Sequence, residues 1–589
     1  MLRKIFLFYS FLLISTNAYS QEKADTKYWI IFKDKGEFIS GMEIKPGSPA
    51  YEKGKELLTD RAIKRRLKVL SEDDLIDYGD LPLYEEYTDG IDALKIETVA
   101  ASRWLNGVSA YLTESQLKKV SSLGYVSQIK AVNKLYKQET EIDHRAVIES
   151  VEIQKNLQQY GKSLKQMETV NVPKVHNLKI TGKGVLIASF DDGFDWKNHE
   201  ALKNLTVLGE YDFINEDGNT LYEKNQRYKD EKNQGAHGTA TLSTMSGYKE
   251  GKLISPAFDS EILLAKTEYV PSETPMEEDF WLEAAEWAEA KGADIITSSL
   301  IYKEYDGPYE KNSYSYNDYN GKTAITSLAA TRSAHLGIVV CQAMGNYNQT
   351  SVPSLGSAAD ADSIISVGAI TFSGDPASFT SNGPTSDGRI KPDVVAPGVF
   401  VYTAVVKEIS GNDSTYEYSN GTSFSTPITA GICALILSAH PELTPLQVRD
   451  AVRNTASLSG NPNNILGWGI VNAYDALLYY GMAWSNDFQI EKTENEVTVS
   501  TYVASKDVID PNSVKLHYSY DNGSTYEEKE MRLTEPNGDE NNSGRYSVTF
   551  DPVSKTDDLK IFFSAEDYSG GKSIYPRNSV SDEGNSKKN

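Results

Sequence analysis

The sequence predicts an α/β protein. A central domain over residues 160–480 is built on a mostly parallel, buried sheet, with an α+β unit ahead of it and a β-sandwich behind. Three observations carry this. Between residues 160 and 480, apolar β-rich runs (Val185–Phe190, Glu261–Lys266, Asp294–Ser298, Gly337–Ala343) alternate with helical stretches such as Phe280–Lys291 and Lys322–Leu336, which is the grammar of βαβ units. Before residue 135, short strands mix with charged helices. After residue 483, short alternating strands are separated by turns such as Asp521-Asn522-Gly523, the spacing of a sandwich.

The elements follow in order. Arg3 and Lys4 precede the apolar run Ile5–Ile14, and the small residues Ala18 and Ser20 follow. Residues 1–20 therefore read as a secretory signal peptide, cleaved before Gln21. The run is shorter than the roughly 20 residues of a spanning helix, and no later segment reads as a span. The expectation is an exported protein, extracellular or periplasmic, with no membrane span. Over residues 21–135, Tyr28–Phe32 and Ser109–Leu112 read as strands and Leu57–Val69 as a basic helix. Thr113 caps a helix at Ser115–Leu123, and a strand follows at Tyr125–Ile129. Residues 136–159 form a polar linker whose character runs on to about Val170, as if exposed or loosely packed. Over 483–578 the strands are Glu496–Ala504, Val514–Tyr520, Gly544–Phe550 and Leu559–Ala565.

Composition narrows the function. The 589 residues hold 59 Lys+Arg against 83 Asp+Glu, a net charge of −24. That balance excludes a nucleic-acid binder, whose phosphate contacts need clustered cations. Residues 21–138 carry 19 basic and 19 acidic side chains, so the acidity is concentrated in the domains that follow. Two cysteines exclude a disulfide scaffold and a multi-Cys zinc site. Cys341 and Cys433 lie in apolar runs and read as buried thiols. Asp551–Asp558 with Glu566 and Asp567 is acidic enough for calcium, but a solvated loop is the expected reading. No metal ligand set is assigned.

Three motifs in the central domain carry chemistry. Asp191, in Phe190-Asp191-Asp192-Gly193, follows a strand at the edge where α/β proteins build sites; alone it reads more readily as turn chemistry. His237 lies between glycines in Gly235-Ala236-His237-Gly238-Thr239 at a helix start, and Gly238 permits close backbone approach. Ser423, in Asn420-Gly421-Thr422-Ser423-Phe424-Ser425-Thr426-Pro427, opens an apolar helix whose free N–H groups can hold an oxyanion. The plain reading of that Ser is an N-cap.

Asp, then His, then Ser, each in a Gly-containing context within one α/β domain, is the chain order of subtilisin. On these motifs residues 160–480 resemble the subtilisin-like serine proteases. Further segments share the resemblance: Gly337–Asn346, Trp287–Leu300, Lys391–Gly398 and Gly467–Ala473. It implies a subtilisin-like parallel-sheet catalytic domain and peptide-bond hydrolysis without a required cofactor. By the same resemblance Ser423 is the nucleophile, His237 the base and Asp191 its orienting partner. Asn346 would donate to the oxyanion, and Ser299, Leu300, Ile301 and Gly345 would line the bound substrate. Such proteins often carry structural calcium, and no site for it is readable in this sequence. Residues 21–135 resemble the propeptide of these proteases, through Leu58-Thr59-Asp60-Arg61-Ala62 and Ser102-Arg103-Trp104-Leu105-Asn106. That implies a zymogen, inhibited by its own propeptide and cleaved between about Val132 and Tyr160.

The departures are specific. Asp192 stands where the family mostly has Ser or Thr, and adds negative charge near the site. Phe424-Ser425 replaces Met-Ala. Ile301-Tyr302 replaces two glycines, which predicts a reshaped or narrowed primary specificity pocket. The competing reading is an exported adhesion or binding protein with a disabled core; intact Asp191, His237, Ser423 and Asn346 favour the protease.

Overall fold

A computed structural model describes residues 26–131, 155–231, 233–271, 274–303, 314–493, 495–551 and 559–576. The expected signal peptide, most of the expected processing region and most of the Asp551–Asp558 loop lie outside these residues.

The N-terminal unit is an antiparallel sheet of β1 (Thr26–Phe32), β2 (Thr98–Ser102), β3 (Gly107–Leu112) and β4 (Val126–Ala131), in the order β2-β3-β1-β4. Ile30, Phe32, Val108, Ala110 and Leu112 alternate inward onto Ile91, Ile96 and Val120, as the two-residue period of a strand requires. The basic helix expected at Leu57–Val69 is shorter and has a neighbour: α1 (Pro49–Lys55) and α2 (Asp60–Arg66) are separate. Thr59 divides them because its side chain accepts the Ala62 N–H and so starts a new helix. At α3 (Glu114–Ser121), Thr113 and Gln116 close a reciprocal capping box.

The polar stretch before residue 170 is not an exposed linker throughout. Leu164, Met167, Val170, Val172 and Val175 are buried in the main core. Their spacing of three, three, two and three residues puts them on one side of short helices, while intervening Lys and Gln residues mask the pattern.

The central sheet comprises β5 (Leu186–Asp191), β6 (Thr206–Asp212), β7 (Glu261–Lys266), β8 (Ile295–Ser298), β9 (Val339–Ala343), β10 (Ile365–Ile370) and β11 (Val394–Pro397). Its order is β11-β10-β9-β8-β5-β7-β6, with every neighbouring pair parallel. From β5 the chain moves outward on one side, then returns to build β8 on the other. The gap between the carboxyl ends of β5 and β8 is therefore a topological switch point. The helices used below are α4 (Ala236–Ser246), α5 (Met276–Lys291), α6 (Ile325–His335) and α7 (Thr422–Ala439). All eighteen residues of α7 are buried. It is the one helix among the described residues long and apolar enough to cross a membrane, and it is enclosed by the protein. Cys341 on β9 and Cys433 on α7 are both buried and free, with their Sγ atoms 4.0 Å apart.

The N-terminal unit docks on α5 through ionic contacts. Asp279, Glu283, Glu286 and Glu289 are spaced four, three and three residues apart and share one face. Asp279 pairs with Lys27 and accepts from Trp29 Nε1 at 3.0 Å. Glu283 accepts the Ala101 N–H at 2.8 Å, and Glu286 accepts the Arg103 and Trp104 N–H groups, both at 3.2 Å. Glu289 meets Arg65, Arg66 (2.8 Å) and Arg103 (3.3 Å). On α6, Arg332 reaches Asp77 at 2.7 Å.

The C-terminal zone is two antiparallel sheets. One runs Ala483–Trp484, Val497–Ala504, Gly544–Phe550, Arg532–Pro536; the other runs Glu527–Glu530, Lys515–Ser519, Lys560–Glu566, Lys572–Tyr575. Val499, Val503, Leu516, Tyr546 and Phe563 fill the space between them.

Candidate active site

β5 ends at Asp191 and α4 begins at Ala236, so both meet at the carboxyl edge of the sheet, beside the switch point. His237 Nδ1 lies 2.6 Å from Asp191 Oδ1. The other oxygen of Asp191 accepts from Thr241 Oγ1 at 2.9 Å, and the Asp192 N–H donates to Oδ1 at 2.9 Å. A ring held this way keeps its proton on Nδ1 and presents Nε2 as the acceptor. Burial favours the neutral ring. The charge and hydrogen bond of Asp191, with Asp192 and Glu268 nearby, outweigh it and push His237 up to about 9. The imidazole keeps 37% of its surface open while the Asp191 side chain keeps 1%. Glycine is required at 238: a Cβ there would sit 2.2 Å from the Gly193 carbonyl and 2.9 Å from Asp191 Cβ.

Gly421 is the N-cap of α7, so Ser423 is its second residue, not the cap of the plain reading. Its N–H is one of the four at a helix start with no intrahelical acceptor. Pro427 falls in the second turn, inside the helix. Asn346, three residues beyond β9, accepts with Oδ1 from Thr422 N at 2.9 Å and Thr422 Oγ1 at 3.0 Å. With its oxygen committed, Asn346 has its NH₂ end left to donate at the start of α7. The Phe424 ring, next to Ser423, lies 6.1 Å from the His237 ring.

The residues expected to line substrate gather at the same edge. Ser299, directly after β8, donates from Oγ to the Ser423 carbonyl at 2.8 Å. Leu300 is buried, and Gly345 holds a positive φ of 102° just before Asn346. The Ile301 side chain lies over Gly356: a Cβ on that glycine would come within 2.4 Å of Ile301 Cγ2. Tyr302 and Ser357 exchange backbone hydrogen bonds at 3.0 and 3.1 Å, fastening that floor. Asp191, His237, Asn346, Ser423 and Ser299 thus converge from five separate chain segments.

Sequence reasoning missed three supporting residues. Thr241 is four residues beyond His237 and so on the same helix face, a signal that would have found it. Thr422 adjoins the Ser, but its hold on Asn346 spans 76 residues of chain. Asp192, besides bringing negative charge, accepts the N–H groups of His237 (3.4 Å) and Gly238 (2.7 Å) with its carboxylate, a contact the sequence does not mark. Among the described residues, no group of three or more His, Cys, Asp or Glu side chains is placed to hold a metal ion. Glu566 and Asp567 serve their own turn, pairing with Lys572 (2.6 Å) and with the N–H groups of Ser569 and Gly571 (3.0 and 2.8 Å).

The chain is similar to known proteins over its N-terminal and central domains. The profile described as "Subtilase family" matches residues 182–469. The profile "Peptidase S8 propeptide domain, Bacteroidota" matches residues 27–146. Subtilisin from Bacillus pumilus is 30% identical over 309 residues, covering 52% of this chain and 96% of that protein. Serine protease AprX of Bacillus subtilis is 30% identical over 321 residues, covering 51% and 67%. Subtilisin E of Bacillus subtilis is 28% identical over 379 residues, covering 64% and 81%. A solved protease from Pseudoalteromonas arctica aligns with 54% of the chain and 98% of its own, at 20% identity and a TM-score of 0.41.

Proposed function

The chain belongs to the subtilase family and is a serine-type endopeptidase with a propeptide domain ahead of its catalytic domain; from that we propose that Ser423, His237 and Asp191 carry its chemistry, with Asn346 serving the oxyanion. In this reading His237 Nε2 takes the Ser423 hydroxyl proton as Oγ attacks the scissile carbonyl, then returns it to the leaving amine. Asp191 holds the ring tautomer and stabilises the imidazolium. The Asn346 amide and the Ser423 N–H bind the tetrahedral oxyanion, and a side-chain donor of this kind is worth about 10²–10³ in rate. The chemistry draws on side chains and backbone N–H groups alone, so it calls for no cofactor.

The observation that carries the reading is the 2.6 Å Asp191–His237 bond beside a helix start whose Asn346 is turned by Thr422. The wider proposal is an exported zymogen that loses residues 1–20, is cut between about Val132 and Tyr160, and is inhibited by its docked N-terminal unit until release. Its substrates are proteins or peptides. Phosphonofluoridate labelling of wild type against Ser423→Ala tests the chemistry. Label on Ser423 in processed protein is the expected result; none would overturn the triad and favour a binding protein with a disabled core. N-terminal sequencing of the active protein tests the processing, and a Gln21 start would defeat it.

A further inference from the structure

α4 lacks a cap of its own. Its N-cap is Gly235, which has no side chain to accept the first-turn N–H groups. Unpaired groups at a buried helix start are costly. Here the acceptor comes from 45 residues away: Asp192 takes the Gly238 N–H at 2.7 Å and the His237 N–H at 3.4 Å. Its own backbone is held in turn, because Gln234 Nε2 donates to the Asp192 carbonyl and, at 2.7 Å, to that of Glu268. Asp191 therefore grips the side chain of His237 while the next residue grips its backbone. An anion at a helix N-terminus is also favoured by the helix dipole.

We propose that Asp192 is a positioning residue for the protease reaction: its buried carboxylate closes the amino end of the His237 helix, and its charge stabilises the imidazolium formed during catalysis. This rests on the triad reading above. The groups facing His237 are Asp191 and Asp192 at the end of β5, Glu268 after β7, and the Ser423–Phe424 start of α7. All the titratable carboxyls among them are acidic partners to one ring. Burial and the adjacent Asp191 push the Asp192 carboxyl up to about 7, so it is ionised over the range in which His237 gives up its proton. Asparagine at 192 keeps an oxygen for the short Gly238 N–H bond; it removes the charge and puts an NH₂ donor in place of the oxygen that accepts the longer His237 N–H bond. Serine keeps a shorter acceptor. Alanine removes both functions.

The test is the pH dependence of kcat/KM for a peptide substrate, measured on the protein expressed from the full chain and left to process itself. In wild type the limb that reports His237 deprotonation is expected above the ordinary value of about 6.5. Asp192→Asn should move it down by about one pH unit with kcat on the plateau reduced less than about tenfold. Asp192→Ala should show the same shift and lose more in kcat. A purely structural cap would lower yield or Tm and leave the limb in place, so an unmoved limb in a folded, labelled Asp192→Asn protein overturns the proposal. If both variants fail to mature, Asp192→Ser, which keeps a neutral acceptor, takes their place: its Ser423 phosphonofluoridate labelling should have a pH midpoint about one unit below that of wild type, and an unmoved midpoint overturns the proposal. Absence of label at every pH would instead be failure of the triad reading, a separate outcome.

Discussion

Replacing Glu289 with Gln probes how the N-terminal unit holds the protease. One oxygen of Glu289 accepts from Arg65 and from Arg66 Nε at 2.8 Å, the other from Arg103 at 3.3 Å. The Arg65 and Arg66 side chains are 1% and 0% exposed. After the change Arg66 keeps Asp80, but Arg65 keeps only the carbonyls of Leu336, Glu289 and Ala293 at 3.0–3.1 Å. A buried guanidinium stripped of its carboxylate costs about 3–5 kcal/mol. The Gln oxygen still accepts one hydrogen bond, which places the expected loss near the lower bound. Once the unit has left, Glu289 faces water, so the substitution is close to neutral in the free enzyme and the loss falls on docking. At about 1.4 kcal/mol per decade, the unit should bind about 10²–10³-fold more weakly. The assay dilutes the autoprocessed complex and follows the concentration at which activity appears. A midpoint within tenfold of wild type, from a protein that folds and processes normally, would refute the reasoning.

Three further outcomes are expected. When docked, Glu283 is raised to about 8 by burial and by the charges of Asp279 and Glu286. Ionising it therefore opposes docking: affinity is highest below its ordinary range and falls as pH rises towards 8. Glu283→Gln should tighten the complex at pH 8 and leave it unchanged well below the ordinary glutamate range, as read by the same dilution assay; equal midpoints for variant and wild type at pH 8 would count against it. Glu289 is instead held down to about 2, so its contribution is lost only in strong acid, outside that window. For Ile301, a peptide library should give cleavage after small residues, and Ile301→Gly should raise kcat/KM after Leu or Phe by about tenfold or more; broad wild-type cleavage after bulky residues contradicts this. Cys341, whose thiol is pushed up by Cys433 and by burial, should resist iodoacetamide in the folded protein, as should Cys433, and both should label after unfolding. Native labelling at the rate of a free thiol would be inconsistent with the packing.

Much of this was readable from local pattern. β7 falls on its apolar run and Gly544–Phe550 on its alternation, and the Asp, His and Ser motifs lie at the strand end and helix starts that the pattern marks. One difference is local: α2 begins after its Thr59 cap, a signal that could have been read. The others share one cause, distance along the chain. The burial of Met167 and Val170 depends on partners far away in sequence, such as Ala473, whose N–H donates to the Val170 carbonyl at 2.9 Å, and no polar count reveals it. The docking of Arg65 and Arg66 on Glu289 joins residues more than 220 apart, and basic residues on a helix read as a solvated face until the acidic partner is known. Asp192 is the same case within the site. Its neighbour relation to Asp191 was visible, but its bond to Gly238 needed the fold.

The burial of α7 has a consequence for when the enzyme becomes dangerous. Its eighteen residues cross the centre of the core, so this helix cannot fray without opening the β8–β11 side of the sheet. Its amide protons therefore belong to the slowest-exchanging set, released only near the global unfolding free energy. The sheet it crosses is parallel throughout, so every pairing joins segments separated by a crossover, which makes assembly slow. On the proposed triad, a partly folded chain would hold Ser423 apart from its oxyanion donors and from an aligned imidazole. Proteolytic competence and completion of the core are then one event, and a nascent chain remains harmless to its neighbours until it is finished.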